Sequence, residues 1–228
     1  MKLFILGCQR SGTTLLKMIF GSRSDITMID HDLEHIHSLS SSTDHCIKAP
    51  QLVYRSKYIR DKFPNAKFIC VFREPKDVVS SMMSFGTRDS WANGYRQGEG
   101  ARNNMVFDGE NSIHQECARI YEAKAKCLLN WHTPVCFVHY KDLTKRPKTT
   151  IRGMCKYLGM EFDECMLQHH KYNKDARRIG GMNFKKPIFV NAGKWKTVLS
   201  QKEAREVDSI ARSSYSAYLS SLPDFLMM

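Results

Sequence analysis

The chain has 228 residues, 42% of them hydrophobic and 25% charged, a balance that sustains one compact domain and excludes a disordered or collagen-like chain. Its 35 lysines and arginines stand against 23 aspartates and glutamates, so the net charge of +12 predicts a positive surface and an anionic ligand or partner. No run approaches the roughly 18 consecutive apolar residues of a membrane span, and with a mean hydropathy of −0.43 the chain is not expected to cross a bilayer.

Met1 to Leu6 is too short an apolar run for a signal peptide and leads straight into a glycine turn, so Lys2 to Leu6 reads as a first strand and the expected compartment is the cytoplasm. Two further β-branched and aromatic runs, Lys67 to Phe72 and Val135 to His139, read as strands. Between and after them, apolar residues recur at three and four over Thr14 to Gly21, Gln51 to Phe63, Pro75 to Phe85, Ser112 to Trp131 and Pro147 to Leu158. Strands alternating with helices imply a parallel α/β sheet, because parallel strands need crossovers. A final helix starts at Ser200, which forms a capping box with Glu203, and carries Val207, Ile210, Ala211 and Tyr218 on one side as far as Leu222.

Two segments break this rhythm. Gly86 to Glu110 holds five glycines and three asparagines, and Asn173 to Lys194 holds six lysines or arginines against the single acid Asp175. Long irregular segments of this kind are often functional. The eight cysteines contain no C-x-x-C pair, so no zinc ribbon or thioredoxin motif is encoded, and they are read as reduced core residues. No repeat or linker divides the chain, which predicts one domain over residues 1–228.

Gly7-Cys8-Gln9-Arg10-Ser11-Gly12-Thr13-Thr14 lies between the first strand and the first helix, where backbone amides can cradle an anion. It is close to the phosphate-loop pattern G-x-x-x-x-G-K-[ST], except that Thr13 stands where the lysine belongs. Arg10 supplies a cation from within the loop, and its guanidinium can fork onto two oxygens of a phosphate or sulfate. The later strands end in Arg73 and in His139-Tyr140 rather than in an aspartate, which argues against magnesium-dependent phosphoryl transfer. A bare strand-to-helix turn is the plain alternative for Gly7 and Gly12.

Arg10 to Leu16 resembles the 5′-phosphosulfate loop of sulfotransferases that use 3′-phosphoadenosine 5′-phosphosulfate (PAPS). The resemblance implies a P-loop-type parallel sheet flanked by helices, with Arg10, Ser11, Gly12, Thr13, Thr14 and Leu15 on the phosphosulfate. It also implies a 3′-phosphate site made by a strand-terminal arginine and a serine eight residues later, and Arg73 and Ser81 stand at that spacing, with Ser80 as the adjacent alternative. Val138-His139-Tyr140-Lys141-Asp142-Leu143 is similar to the family segment that brings a tyrosine near the adenine, here Tyr140. Met154 to Gly159 is similar to the helix ending that follows. Gly193-Lys194-Trp195-Lys196 is similar to the segment that closes over the nucleotide, which places Lys194 on the cofactor.

Within the family, Lys48-Ala49-Pro50, Pro64 to Phe68 and Lys185-Lys186-Pro187 look like the protein-tyrosine sulfotransferases. Two departures, a shorter stretch from Asp32 to Lys48 and the lack of paired glutamates after the first helix, leave the acceptor open among a peptide tyrosine, a carbohydrate and a small-molecule alcohol. The aromatic residues Trp91, Tyr95 and Phe107 are expected to line its pocket.

Sulfuryl transfer needs an in-line acceptor, a base, and positive charge at the bridging oxygen, and it needs no metal. By resemblance the cation is Lys48, aided by Arg10. The base is His31, or Asp30 or Asp32 if the alignment slips by one residue. A product nucleotide, 3′-phosphoadenosine 5′-phosphate (PAP), follows. Two other classes remain: a small-molecule kinase using ATP, for which the lysine at position 13 is missing, and a basic noncatalytic nucleic-acid binder. The second accounts for the charge and for Lys194-Trp195-Lys196, but not for the spacing of Arg73 and Ser81. Neither a nucleic-acid nor a membrane partner is expected, and oligomeric state is not encoded legibly.

Overall fold

A computed structural model describes residues 1–30, 45–84, 111–131, 133–172 and 186–222 of the chain. Its strands are β1 (Lys2–Leu6), β2 (Thr27–Asp30), β3 (His45–Lys48), β4 (Lys67–Phe72) and β5 (Cys136–His139). The described helices are α1 (Thr13–Phe20), α2 (Ser56–Lys62), α3 (Pro75–Met83), α4 (Ile113–Leu129), α5 (Tyr140–Lys145), α6 (Pro147–Leu158), α7 (His169–Tyr172) and α8 (Gln201–Ser220).

All five strands are parallel, in the order β2-β3-β1-β4-β5. β1 is buried at every position, as an interior parallel strand must be. Even Lys2 is enclosed, with its ammonium 2.8 Å from His45 Nδ1. Side chains alternate between the two faces. Leu3 and Ile5, with Cys46, Ile69, Val71 and Val138, pack against α1, α5 and α6. Phe4 and Leu6, with Ile47, Phe68, Cys70 and Phe72, pack against α2, α3, α4 and α8. The Phe4 ring stacks on Phe68 at 5.6 Å, and Trp131 closes on Phe68 at 5.7 Å.

The three strands read from the sequence are present, and β2 and β3 are two more. Each has four residues and ends in polar groups, Thr27 and Asp30 or His45 and Lys48, so the apolar signal is only two residues wide. The helix expected over Gln51 to Phe63 is a 3-10 turn at Pro50–Arg55 followed by α2. Burial there was legible, since Leu52, Val53, Ile59 and Phe63 all face the core, but the first bonds are tighter, with the Leu52 N–H donating to the Ala49 carbonyl at 3.0 Å. α5 follows β5 directly, where the sequence suggested only a strand ending. Gly86 to Glu110 lies outside the described residues, as does most of Asn173 to Lys194.

All eight cysteines are free thiols, six of them buried, and burial pushes Cys136 up to about 12, so it packs as a small neutral group. No helix among the described residues is long and apolar enough to cross a membrane.

α8 begins with the expected capping box: the Glu203 N–H donates to Ser200 Oγ at 3.2 Å and the Ser200 N–H donates to Glu203 Oε2 at 2.7 Å. Its inner face buries Ala204, Val207, Ala211, Tyr215 and Tyr218, while Ile210 is only partly covered. Ser200→Ala removes one acceptor from the helix start and is expected to cost about 1 kcal/mol. In a chain of this size that lowers the thermal midpoint by about 2–4 °C, measurable by circular dichroism.

Two buried histidines couple stability to pH. His139 stacks on Phe72 at 5.2 Å and lies 3.0 Å from the Tyr215 hydroxyl, with Asp142 at 3.5 Å; burial lowers its pKa against the pull of Asp142. Burial, then the neighbouring His170, pulls His169 down to about 4. Folding therefore withholds protons that the unfolded imidazoles accept below about 6.5, so stability is full above that pH and falls as pH drops toward about 4. Denaturant midpoints measured across this window are expected to show the fall, with a shallower slope in His169→Gln. An unchanged slope in that variant would contradict the burial assignment.

Candidate functional site

The chain leaves β1 toward β2 and β3 on one side, while β4 and β5 lie on the other, so the connections diverge at the C-terminal ends of β1 and β4. Such a switch point opens a crevice in a parallel sheet. The loop from Gly7 to Gly12 lies in that position. Gly7 has φ 138° and a Cβ there would sit 2.4 Å from the Val71 carbonyl oxygen, so only glycine lets β1 turn this close to β4. Gly12 has φ 111°, and a Cβ there would lie 2.5 Å from the Tyr140 ring. Between them the Ser11 N–H donates to the Cys8 carbonyl at 3.2 Å, and Arg10 holds φ 67°, a strained conformation for a residue with a side chain.

Two arginines converge beyond the loop. Arg10 Nε donates to Ser81 Oγ on α3 at 3.0 Å. Arg73, 6% exposed at the end of β4, donates from Nη1 to the Arg10 carbonyl at 3.3 Å and from Nη2 to the Asn191 carbonyl. Its guanidinium lies 4.7 Å from the Tyr140 ring centre and 3.8 Å from Asp77 Oδ2. Asp77 in turn accepts the Gly193 N–H on both oxygens, at 2.9 and 3.0 Å, which ties the Asn191–Lys194 stretch to α3. Next to it, Lys76 sits 4.7 Å over the Trp195 ring and bonds Asp208 at 2.8 Å.

These groups wall a cavity of about 510 Å³. Arg10, Arg73, Lys186 and Lys194 line it, and Asp77 is the one carboxylate among the described lining residues. Ser80, Ser81 and Ser84 add hydroxyls along α3, while Leu15, Met18 and Ile188 form an apolar wall. Burial, and then the like charge of Arg73, lowers the Arg10 pKa; burial also lowers that of Arg73, offset in part by Asp77. Two guanidiniums held against mutual repulsion favour an anion between them. Arg73 Nε and Ser11 Oγ are buried and have no hydrogen-bond partner within the described residues, an expensive state for polar atoms, and at Arg73, which lines the cavity, an acceptor-rich ligand would relieve it.

Of the residues singled out in the sequence, Arg10, Leu15, Arg73, Ser80, Ser81, Tyr140 and Lys194 meet in this cavity. Ser11, Gly12, Thr13 and Thr14 complete the loop and the first turn of α1 without lining it. Ser81 contacts Arg10 rather than Arg73. Lys48 ends β3 with its Cα opposite Ile5 on one side and Asp30 on the other, and it is not on the cavity wall. Asp30 ends β2, while His31 and Asp32 lie outside the described residues, as do Trp91, Tyr95 and Phe107. Sequence reasoning missed Asp77, Asn191 and His169. Asp77 alone carried a signal, an acid in the first turn of the helix that follows Arg73.

A model of the sulfotransferase family matches residues 27–164, more than half of the chain and including Lys48, Arg73, Ser81 and Tyr140. The match begins beyond the loop, so the loop geometry is an independent observation. The protein-tyrosine sulfotransferase of Drosophila melanogaster is 25% identical over 129 residues, which are 56% of this chain and 23% of that protein. The chain thus spans less than a quarter of that relative's length. Among solved structures, the sulfotransferase domain from the curacin biosynthetic pathway superposes with a TM-score of 0.61 at 16% identity, over 91% of this chain and 95% of that one. The mouse sulfotransferase SULT7A1 complexed with PAP superposes with a TM-score of 0.57 at 15% identity, over 95% of this chain and 87% of that one. The family match, joined to a fold shared with sulfotransferases and an arginine-walled cavity at the sheet's switch point, establishes that the chain belongs to the sulfotransferase family.

Proposed function

We propose that this chain moves a sulfuryl group from PAPS to an acceptor hydroxyl. The observation that carries this reading is the meeting of Arg10 and Arg73 in one cavity, with Arg73 Nε buried and unpartnered. The residues fit a nucleotide with anionic groups at two places. Arg10 and the loop amides suit the 5′ end, and Arg73 with Ser81 suits a 3′-phosphate. The Tyr140 ring, pressed on Gly12, offers a flat face for a base, and Lys194 adds charge from the segment that Asp77 holds in place. SULT7A1 complexed with PAP supports the same nucleotide here.

The donor supplies an activated sulfuryl group and a leaving phosphate. Arg10 and Lys48 balance negative charge on the bridging oxygen, Lys48 from the strand next to β1. A base within Asp30, His31 and Asp32 takes the acceptor proton; the chain reaches this segment at the end of β2, whose Asp30 pairs in register with Lys48. For the acceptor, the Drosophila relative favours a tyrosine hydroxyl over a sugar or alcohol. An ATP-dependent kinase is disfavoured by Thr13, 3% exposed, in place of the phosphate-loop lysine.

Arg73→Ala separates the two phosphate sites. Loss of charged hydrogen bonds to one phosphate is expected to weaken PAP binding by about 10- to 100-fold, while affinity for 5′-AMP stays within about threefold of the parent. Calorimetry of both nucleotides, with a thermal melt as the folding control, reads this directly. Equal PAP affinity in the two proteins would remove Arg73 from the nucleotide site.

A further inference from the structure

The inner side of α4 carries a lysine in the middle of the core. Lys124 is 0% exposed, its Nζ donates to the Pro50 carbonyl at 3.1 Å, and its ammonium lies 5.6 Å from the Tyr54 ring centre. A methionine would fill the same space without an ammonium to desolvate, so the group's worth lies in what it holds.

It holds the turn that follows Lys48. The Ala49 N–H donates to the Ile5 carbonyl at 3.1 Å and the Leu52 N–H to the Ala49 carbonyl at 3.0 Å, while Pro50 has no N–H to give. Lys124 adds an anchor from α4, on the Pro50 carbonyl. By strand alternation Ile47 and Ala49 face α4, and Lys48 faces the side covered by α1. The turn is thus gripped from one face of the sheet while the Lys48 side chain leaves from the other. A peptide rotation anywhere between Lys48 and Pro50 would swing that side chain.

We infer that Lys124 is a positioning residue, which fixes the aim of Lys48 toward the phosphosulfate end of the nucleotide by holding the Pro50 carbonyl. This rests on the proposed role of Lys48 in sulfuryl transfer.

The test is trace acetylation of amines in the full chain, with and without saturating PAP, read at Lys48 by mass spectrometry. In the parent, PAP is expected to protect Lys48 by about tenfold. In Lys124→Met, protection is expected to fall below about threefold while PAP affinity, carried by Arg73 and the loop, changes by less than about threefold. Leu128→Ala, a core lesion on the same helix, controls for destabilisation alone and is expected to keep the protection. Full protection in Lys124→Met, equal loss in both variants, or a parent that binds PAP without protecting Lys48 would each overturn the inference. A parent that fails to bind PAP at all would instead overturn the nucleotide reading on which it stands.

Discussion

Arg73 is the constraint around which the site is arranged. A guanidinium 6% exposed at the end of a parallel strand would be ruinous without partners. It reaches the Arg10 carbonyl, the Asn191 carbonyl, the Asp77 carboxylate and the Tyr140 ring, which come from four separate parts of the chain. Each partner is in turn placed by something else. Gly7 lets the loop approach β4, Gly12 admits Tyr140, and Asp77 holds the Gly193 N–H. The Tyr121 hydroxyl, donating to the Arg73 carbonyl at 3.1 Å, steadies the arginine's own backbone from α4. Removing any one of these leaves a buried polar group exposed to the same cost.

The arrangement is electrostatically tense. Burial, and then the charge of Arg73, weakens Arg10's hold on its proton, burial weakens that of Arg73, and Asp77 compensates only Arg73 directly. Functional sites commonly store unfavourable charge and strain that the rest of the fold outweighs. Here two packed cores, one on each face of the sheet, provide that surplus, and Arg10 in its left-handed conformation is where the backbone strain sits. An anion between the arginines would remove the repulsion and offer Arg73 Nε an acceptor.

How much of this was legible follows from the range of each interaction. β1 and β4 were readable because interior parallel strands are apolar without interruption, and β2 and β3 were not because two apolar residues between polar ends carry no period. The loop was readable because close approach to β4 and to Tyr140 leaves glycine as the only tolerated residue at positions 7 and 12. Arg73 and Ser81 could be placed together by spacing alone, though not that Ser81 would bond Arg10. Asp77 showed only as an acid in the first turn after Arg73, and its hold on the site was not legible because its partner Gly193 is 116 positions away. Lys124 was hidden for a similar reason: on a helix of mixed polarity a buried lysine reads like an exposed one until Pro50 is beside it.

We propose the cavity between Arg10 and Arg73 as a site for a nucleotide carrying a 3′-phosphate. Calorimetric titration of the unmodified chain with PAP in the presence of a chelator, beside ATP with magnesium at the same ionic strength, tests it most directly. Saturable PAP binding that needs no metal and is much tighter than that of ATP is the expected result. Preferential binding of magnesium-ATP, or binding of neither nucleotide, would contradict it.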